Sequence, residues 1–490
     1  MARYFLDPFG CAKNQVDAET MMALLGDSGW AATDVPAEAD LIIVNSCGFI
    51  ESAKRESINA VLSWRKQYPK TKILLAGCLA QRYAAELARS LPEADGLFGN
   101  AGLGGIAAAA SALLSGSPGS PSLPGSSTSS GEGETPPAVP GDPEALEAPL
   151  VPAALGARPL LSLPGSAYVK ISEGCNNRCS FCSIPLIRGP LRSREPGGIL
   201  DECRGLLDRG IRELCIIGQD IASFGDDRPG AERPGTAGPG TARPGAAGLP
   251  ALLEGIAAIP GRFWVRLLYL HPDRFPPAIL EIMAGDRRFL PYFDIPLQHG
   301  SEPILRAMKR RGNAERYLDL IREIRRALPD AVIRSTFLVG FPGESEDDFA
   351  RLLDFQEQAA LDWAGCFTYS REENTPAYAM GKRVPRAVAA ERKRILEERQ
   401  QSISERQMDR FVGRELEVLV EEQFENPEDP GDAPEFPAGE GGLYLGRAYC
   451  QAPEVDGVSL ILSEKKLSPG TLVNCRVRAR AGLDLELRLT

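Results

Sequence analysis

Histidine is nearly absent from this chain of 490 residues, which contains only His271 and His299. That scarcity argues against zinc hydrolysis and against a histidine-driven catalytic triad, because both chemistries depend on imidazole side chains. The sequence also lacks a basic leader followed by an apolar core, and no uncharged apolar stretch reaches the roughly 18 residues of a membrane helix. We therefore expect a cytoplasmic protein without a membrane partner. The net charge of −11 provides no general field that would attract a phosphate backbone.

The eleven cysteines form an odd, clustered set that does not resemble a secreted disulfide framework, and clustered thiols in a reducing compartment more often bind metal. Cys175, Cys179 and Cys182 follow the apolar run AYVKIS with the spacing C-x3-C-x2-C. An iron-sulfur cube is normally held by four thiolates, so three ligands in this three-cysteine loop would leave one iron open to a substrate. The alternative is a structural zinc loop that takes a fourth ligand from elsewhere.

A second set comprises Cys11, Cys47 and Cys78, which we call the strand-end cysteines because each falls just past a strand-like run, RYFLDPF, LIIVNS or KILLAG. The carboxyl ends of parallel strands share one edge of a sheet, so these thiols are predicted to converge and hold a second cluster with an open iron. The alternative is three unrelated buried cysteines. The remaining five are interpreted as small buried hydrophobic residues, Cys203 in a helix and Cys215, Cys366, Cys450 and Cys475 in strands.

Two low-complexity stretches, residues 103–163 and 226–248, interrupt the globular texture and are interpreted as a linker and a flexible insertion. They leave three predicted folded units within an α/β fold class. Residues 1–102 alternate strand-like and helical segments as in a parallel α/β domain, and residues 164–410 repeat that rhythm six times, which favours a partial (βα)6 barrel. Residues 411–490 contain short β-rich pieces that are typical of a small antiparallel β-barrel.

With these residues identified, the chain resembles the radical S-adenosylmethionine methylthiotransferases over nearly its full length apart from the low-complexity insertions. Within that family it is most similar to the type that modifies a ribosomal protein. The chain departs from the family pattern where Pro8 interrupts the first strand and where the long insertion precedes residue 164. The motifs that carry the resemblance are FGCAKNQVDAE, NSCGFIESAKRESI, EGCNNRCSFCSIPLIRGPLRSR, RLLYLHPD, YFDIPLQHGS, TFLVGFPGESEDDF, FTYSREENTPA and APEVDG.

The resemblance implies an N-terminal methylthiotransferase domain, a radical S-adenosylmethionine domain and a C-terminal TRAM domain. It implies two [4Fe-4S] clusters and S-adenosylmethionine as cofactors. The cluster of the three-cysteine loop would generate a 5′-deoxyadenosyl radical, and the auxiliary cluster on the strand-end cysteines would carry the sulfur that becomes the methylthio group. The implied acceptor is the β-carbon of an aspartate in small-subunit ribosomal protein twelve, free or on the ribosomal subunit. The implied electron donor is a flavodoxin or ferredoxin, and the enzyme is expected to be monomeric.

The residues expected to contact S-adenosylmethionine follow from the placement of barrel sites at the carboxyl ends of strands. The glycines would let the backbone approach the cofactor, and the arginine would meet its carboxylate, although a purely structural role is the alternative for each. Beyond the cluster ligands no catalytic residue is predicted. The predicted cofactor contacts are Phe181, Gln219, Arg334, Gly340 and Gly343, and His271, Gln298 and His299 lie at similar positions. The nearby Arg188, Arg192 and Arg194 would serve the cofactor, the substrate or a reductant, or would only be solvated.

The sequence leaves two alternatives. The first is methylthio transfer to an adenosine of transfer RNA. Residues 411–490 contain 15 acidic and 8 basic side chains, a net charge of −7, which suits a basic ribosomal protein better than RNA. We hypothesise that the acidic stretch 425–442 and residues 454–456 dock that protein. The second alternative, a non-catalytic iron-sulfur protein, leaves two incompletely ligated clusters unexplained.

Overall fold

The computed structural model describes residues 1–115, 157–228, 248–424 and 442–490. Most of the predicted linker, the insertion and the acidic stretch lie outside these residues. Among the described residues, every helix is too short or too polar to cross a membrane. The chain divides into two compact units. The first unit comprises Met1–Leu161, Lys170–Glu202 and Ser370–Tyr378, and the second comprises Ser162–Val169, Cys203–Tyr369 and Ala379–Thr490.

A parallel sheet with the strand order β2-β1-β3-β4-β5 forms the start of the first unit. Its strands are β1 Arg3–Pro8, β2 Ala31–Ala32, β3 Leu41–Ser46, β4 Lys72–Gly77 and β5 Gly96–Phe98, and its helices are α1 Ala12–Asp27, α2 Glu51–Gln67, α3 Cys78–Ser90 and α4 Ile106–Ser115. Every residue of β3 is buried, and successive side chains point to opposite faces of the sheet. Ile43 packs with residues of α1 and α4, while Ile42 and Val44 pack with residues of α2 and α3.

The rest of the first unit carries the three-cysteine loop. Strand β6 (Ser166–Lys170) leads into it, helix α5 (Ile184–Arg188) follows it, and the short strands β7 (Ser172–Glu173) and β8 (Arg192–Ser193) pair antiparallel on either side. The loop is therefore held between two short strands of one hairpin-like element.

The second unit contains a six-stranded sheet with the order β13-β12-β11-β10-β9-β6, and its pairings from β9 to β13 are parallel. Strands β9 and β10 are buried along their whole length, as expected for parallel strands that helices cover. This sheet confirms the predicted partial (βα)6 barrel. Its further strands are β9 Glu213–Ile217, β10 Trp264–Leu267, β11 Phe289–Asp294, β12 Val332–Val339 and β13 Trp363–Thr368. The helices are α6 Pro196–Asp208, α7 Leu249–Ala257, α8 Ala278–Gly285, α9 Glu302–Ala307, α10 Ala314–Ala327, α11 Glu346–Ala359 and α12 Arg386–Met408.

A small closed β-barrel with the order β14-β15-β16-β18-β17 completes the second unit, which confirms the predicted barrel, although its pairings are not all antiparallel. Its strands are β14 Glu415–Gln423, β15 Gly442–Ala448, β16 Ser459–Ser463, β17 Leu472–Ala481 and β18 Asp484–Leu489. Strand β18 was not predicted, and it closes the barrel by pairing parallel to β16 and antiparallel to β17. Cys203, Cys215, Cys366, Cys450 and Cys475 are buried as expected, but the placement of Cys450 in a strand was wrong because it lies in the turn after β15.

Buried ion pairs join the barrel to the six-stranded sheet within the second unit. Glu213 of β9 lies 2.7 Å from Arg266 of β10 and 2.6 Å from Arg447 of β15. Burial works against ionisation of Glu213, but the two guanidinium groups prevail and lower its pKa to about 2. In a second contact with the sheet, Asp456 accepts a hydrogen bond of 2.6 Å from Tyr292 of β11. The β-barrel is thus fixed to the sheet by polar groups that have no access to water.

The position of Asp456 corrects the docking hypothesis in part. Its side chain is 1% exposed and lies 3.4 Å from Arg334, so it cannot act as a surface charge that attracts a basic partner. Glu454 is exposed. The sequence APEVDG therefore contributes an internal connection as well as surface.

Replacing Glu213 with alanine should destabilise the second unit by about 3–5 kcal/mol at neutral pH, because two buried arginines would lose their shared carboxylate. Since folding lowers the pKa of Glu213 from its ordinary 4.5 to about 2, its stabilising contribution is complete above pH 4.5 and disappears as the pH falls toward 2. Thermal unfolding of the wild type and the variant by calorimetry at pH 7 and near pH 3 checks this. A difference in stability that does not shrink with acidification would contradict the assignment.

Candidate iron-sulfur site

The strand-end cysteines lie at the carboxyl ends of three neighbouring strands, β1, β3 and β4. Cys11 immediately precedes α1 at its N-terminus, Cys47 is the first residue after β3, and Cys78 is the first residue of α3. The strand order β1-β3-β4 makes these three ends adjacent at one edge of the sheet. Pro8 does not interrupt β1 but forms its last residue, paired in register with Asn45.

Glycines allow the three cysteine-bearing turns to approach closely. Gly77 adopts a φ of +94° before Cys78, a conformation that other residues rarely adopt. A Cβ atom on Gly48 would lie 2.8 Å from the carbonyl oxygen of Cys78, and one on Gly10 would lie 3.2 Å from Cβ of Cys47. The close approach of the turns therefore depends on the absence of side chains at these positions.

The side chain of Asn14 contacts all three turns. Its amide nitrogen donates to the carbonyl oxygens of Phe9 at 2.5 Å and Ser46 at 3.2 Å. Its amide oxygen lies 3.6 Å from Sγ of Cys78. A single buried residue in the first turn of α1 thus links the segments that carry Cys11, Cys47 and Cys78.

A buried set of four charges adjoins the strand-end cysteines. Arg188, at the end of α5, lies 2.6 Å from Asp17 and 3.2 Å from Glu173, and Lys170 pairs with both carboxylates, at 2.7 Å from Glu173. The guanidinium also donates a hydrogen bond of 3.0 Å to Sγ of Cys78. Because two cations face two anions, this set has no net charge. The guanidinium of Arg188, which contacts Cys78, therefore has its charge balanced by carboxylates.

The electrostatic environment differs among the three thiols. Desolvation opposes ionisation of Cys11, but the charges of Lys13 and Arg188 and nearby backbone N–H groups lower its pKa. Burial raises the pKa of Cys47, and it raises the pKa of Cys78 to about 12 against the opposing charge of Arg188. The charges of Cys11 and Cys47 also contribute to the shift at Cys78, as expected for thiols that lie near one another.

The three-cysteine loop belongs to the same compact unit. The backbone N–H of Cys175 donates to the carbonyl oxygen of Gly189, and that of Cys182 donates to Cys179 at 3.1 Å. Gly174 has a φ of +75°, and a Cβ atom there would lie only 2.0 Å from the carbonyl oxygen of Pro190. All three cysteines of the loop are partly exposed.

The Ser370–Tyr378 segment connects the loop to the N-terminal sheet domain. Glu372 is buried and lies 2.6 Å from Arg82 of α3 and 3.1 Å from Lys54 of α2. Further along, the N–H of Ala377 donates a hydrogen bond of 2.8 Å to the carbonyl oxygen of Ser180, between two cysteines of the loop. Both cysteine sets are therefore held in one framework of buried contacts.

The six candidate ligands are all free thiols, the donor type that iron-sulfur clusters take. Among the described residues, no three His, Cys, Asp or Glu side chains surround one point in the way that a single ion requires. In an iron-sulfur cube each thiolate ligates a different iron atom, so its ligands stand further apart. Glycines allow the three strand-end turns to approach one another, and Arg188 aims a hydrogen-bond donor at the sulfur of Cys78, as is usual for the partners of metal ligands.

The residues predicted to contact S-adenosylmethionine fall into both units. Phe181 is partly buried in the three-cysteine loop of the first unit, and Gln219 is partly buried just after β9 in the second. Arg334 of β12 lies 3.3 Å from Asp294 and 3.4 Å from Asp456, and these carboxylates raise its pKa against the effect of burial. The guanidinium of Arg334 thus has internal carboxylate partners in this structure.

Gly340 and Gly343 both have positive φ values, +74° and +91°, at the turn after β12. A Cβ atom on Gly340 would lie 2.5 Å from Cβ of Ala389 in α12, so this glycine permits close helix packing. A Cβ atom added to Gly343 would meet nothing within 4 Å. Of the two glycines, Gly343 is therefore the one that has room beside it for a ligand.

The two histidines are buried polar groups of the second unit. His271 accepts from the backbone N–H of Asp273 and lies 2.7 Å from Arg310, and burial together with neighbouring arginines holds its pKa well below the ordinary value. His299 accepts from Ser301 at 2.9 Å, and the preceding Gln298 has a φ of +72°. Strained backbone of this kind after a strand is a feature of ligand sites.

Sequence reasoning missed Asn14, Asp17, Lys170, Glu173 and Glu372 as supporting residues of the site. One signal was present for two of them. Cys11, Asn14 and Asp17 follow at intervals of three, which places them on one face of α1. A polar stripe that is buried in this way indicates a site rather than a core.

Replacing Gly48 with alanine should lower iron incorporation at the strand-end cysteines to less than about half, because the new Cβ atom collides with backbone of Cys78 and Leu79. Iron content after anaerobic reconstitution measures this, in a chain whose three-cysteine loop has been changed to alanines. The matched control is Gly26→Ala in α1, where a Cβ atom meets nothing within 4 Å. Full iron content in the Gly48 variant would show that close approach is not required.

Three family models match successive parts of the chain. A model of the uncharacterized protein family UPF0004 matches residues 3–99, a model of the radical SAM superfamily matches residues 169–355, and a TRAM domain model matches residues 412–489. Among solved structures, the radical S-adenosylmethionine methyltransferase TsrM from Kitasatospora setae has a TM-score of 0.53 at 16% identity, covering 77% of this chain and 74% of that one. That likeness supports the fold alone.

The curated relatives are far more similar. The ribosomal protein uS12 methylthiotransferase RimO of Treponema denticola is 44% identical, over 98% of this chain and 99% of its own length. The proteins of the same name from Aquifex aeolicus and Heliobacterium modesticaldum are 37% and 38% identical, over 98% and 97% of this chain and 96% and 92% of their own lengths. These names confirm the resemblance inferred from the motifs and do not favour the transfer-RNA type. The chain belongs to the RimO family of ribosomal protein uS12 methylthiotransferases, which are radical S-adenosylmethionine enzymes.

Proposed function

We propose that the six cysteines of the first unit hold two [4Fe-4S] clusters with separate tasks. The strand-end cysteines would hold the auxiliary cluster, and Cys175, Cys179 and Cys182 would hold the cluster that binds S-adenosylmethionine. The observation that carries this assignment is the meeting of three cysteine-bearing turns at Asn14, in the same compact unit as the three-cysteine loop. Each set supplies three thiolates, which leaves one iron of each cluster available for exchange.

With its cofactors bound, the enzyme would generate a 5′-deoxyadenosyl radical that removes hydrogen from an unactivated carbon, after which a methylthio group is transferred to that carbon. The chain's own residues have supporting tasks. The glycines of the strand-end turns keep side chains away from the sulfur ligands. Arg188 provides a hydrogen-bond donor to Cys78. Glu372 and Ala377 keep the three-cysteine loop attached to α2 and α3.

The proposed acceptor is the β-carbon of an aspartate in ribosomal protein uS12, free or within the small subunit. The names of the relatives support this choice, because they describe ribosomal protein uS12 methylthiotransferases. The acidic balance of residues 411–490 agrees with a basic protein partner. With this substrate we also propose a cytoplasmic location.

Other features of the reaction are proposed with it. Phe181, Gln219, Arg334, Gly340 and Gly343 are proposed contacts of S-adenosylmethionine. For Arg334 this requires that the cofactor carboxylate share the guanidinium with Asp294 and Asp456, and for Gly340 the packing against Ala389 is a second reason for glycine. A flavodoxin or ferredoxin would supply electrons, and the enzyme would act as a monomer.

The test of this proposal uses the reconstituted protein with dithionite and S-adenosylmethionine, and with uS12 or transfer RNA in separate reactions. We expect 5′-deoxyadenosine in solution and a methylthio mass gain on a uS12 aspartate, with transfer RNA unchanged. A methylthio gain on transfer RNA and none on uS12 would show that transfer RNA is the acceptor. The absence of 5′-deoxyadenosine in every reaction would overturn the enzyme assignment itself.

A further inference from the structure

Arg188 connects the segment that follows the three-cysteine loop to the strand-end cysteines. It is the last residue of α5, the short helix that begins two residues after Cys182. The residue is 5% exposed, and its guanidinium donates to Sγ of Cys78 at 3.0 Å. One side chain therefore reaches from the sequence element of one proposed cluster to a ligand of the other.

The surroundings of Arg188 indicate that this contact is built into the site. A guanidinium is expensive to bury unless its charge is balanced, and here Asp17 lies 2.6 Å away and Glu173 lies 3.2 Å away. Lys170 balances the second negative charge. These contacts fix the orientation of the planar donor group, so that one N–H bond remains directed at sulfur.

A hydrogen bond to a cluster sulfur has a known physical consequence. Reduction adds negative charge to an iron-sulfur cluster and its thiolate ligands, and a donor that faces a ligand sulfur stabilises the more negative state. Removal of that donor therefore makes the cluster harder to reduce. Outer partners of this type typically change metal affinity or activity by about 10–100-fold when they are lost.

We propose that Arg188 is a positioning residue that sets the reduction potential of the auxiliary cluster through its hydrogen bond to Cys78. The inference rests on the proposed function, because it takes the strand-end cysteines as cluster ligands. It goes further in assigning to Arg188 a control of redox behaviour at the sulfur-donating site. The hydrogen bond also links Cys78 to Cys182, because the backbone of α5 joins Arg188 to Cys182.

The test isolates the auxiliary cluster in a full-length parent chain in which all three cysteines of the three-cysteine loop are alanine. Arg188→Gln and Arg188→Lys are made in this parent and compared with Arg65→Gln. Arg65 is a matched control, because it also pairs with a carboxylate, Asp95, but lies at the amino ends of the strands, on the opposite edge of the same sheet. Iron content and a potentiometric titration followed by electron paramagnetic resonance are measured for each protein.

At the midpoint potential of the parent, where half of the clusters are reduced, we expect clearly less than half to be reduced in Arg188→Gln. Arg65→Gln should titrate as the parent does. Arg188→Lys keeps a charge beside Asp17 and Glu173 and should fold even where Arg188→Gln does not. Because its shorter donor group cannot keep the fork geometry to sulfur, its titration should also move to more negative potential.

Parent-like titration of Arg188→Lys and of any folded Arg188→Gln would overturn the inference, as would an equal shift in Arg65→Gln. A parent chain that binds no iron would instead contradict the strand-end cysteines as ligands, and with them the proposed function. The two failures are distinguishable because the first occurs only in the Arg188 variants, while the second occurs before any arginine is changed.

Discussion

Replacing Cys182 with alanine is expected to lower the rate of 5′-deoxyadenosine formation by more than about a hundredfold. Loss of an outer partner of a metal site typically costs about 10–100-fold, and Cys182 is proposed as a direct ligand. Only two thiols of the loop would remain, and a cluster held by two protein ligands with two open irons is poorly retained. Chromatographic quantification of 5′-deoxyadenosine after anaerobic reaction with dithionite measures the effect.

The matched control for that experiment is Cys475→Ala in β17. Cys475 is buried in the C-terminal β-barrel, and its replacement removes one small apolar group without affecting any proposed ligand. This variant should form 5′-deoxyadenosine at the wild-type rate. Retention of the full rate in Cys182→Ala, or an equal loss in both variants, would contradict the assignment of the three-cysteine loop.

Replacing Cys78 with alanine should separate the two halves of the reaction. The three-cysteine loop is unchanged in this variant, so 5′-deoxyadenosine should still form, whereas methylthio transfer to uS12 should fall below detection. The physical reason is that Cys78 is both a proposed ligand of the auxiliary cluster and the sulfur that Arg188 and Asn14 approach. Mass spectrometry of uS12 together with quantification of 5′-deoxyadenosine in the same reaction gives both results.

A second outcome in the Cys78 variant would change the interpretation. If methylthio transfer continued, the strand-end cysteines would not hold the sulfur donor. If both activities disappeared while iron at the three-cysteine loop remained complete, the two clusters would not be functionally separable. The matched control is again Cys475→Ala, which should keep both activities.

Local sequence signals predicted the position of the strand-end cysteines in the fold. Each follows a short apolar run, and adjacent parallel strands necessarily bring their carboxyl ends to one edge. The runs LIIVNS and KILLAG correspond residue for residue to β3 and β4. The same reasoning placed the strands of the partial barrel, because fully buried parallel strands leave a continuous apolar signature that a single sequence reveals.

Long-range polar contacts could not be predicted in the same way. Glu372 pairs with Arg82 across 290 positions of sequence, and Arg188 contacts Cys78 across 110. No periodicity encodes such pairings, since they depend on how separate segments of the unit pack. The expectation for Asp456 was wrong for the same reason. Its place in a polar stretch suggested a surface charge, but its side chain is buried against Tyr292 and Arg334.

The iron content of the reconstituted protein tests the central claim most directly, because the claim is that two sets of three cysteines each hold one cluster. The wild-type chain should bind about eight iron atoms, and alanine replacement of either complete cysteine set should leave about four, with the spectroscopic signature of a single [4Fe-4S] cluster. Only the chain that keeps Cys175, Cys179 and Cys182 should change its spectrum when S-adenosylmethionine is added. A chain that loses all iron when one set is replaced, or a wild type that never binds more than about four iron atoms, would contradict the account.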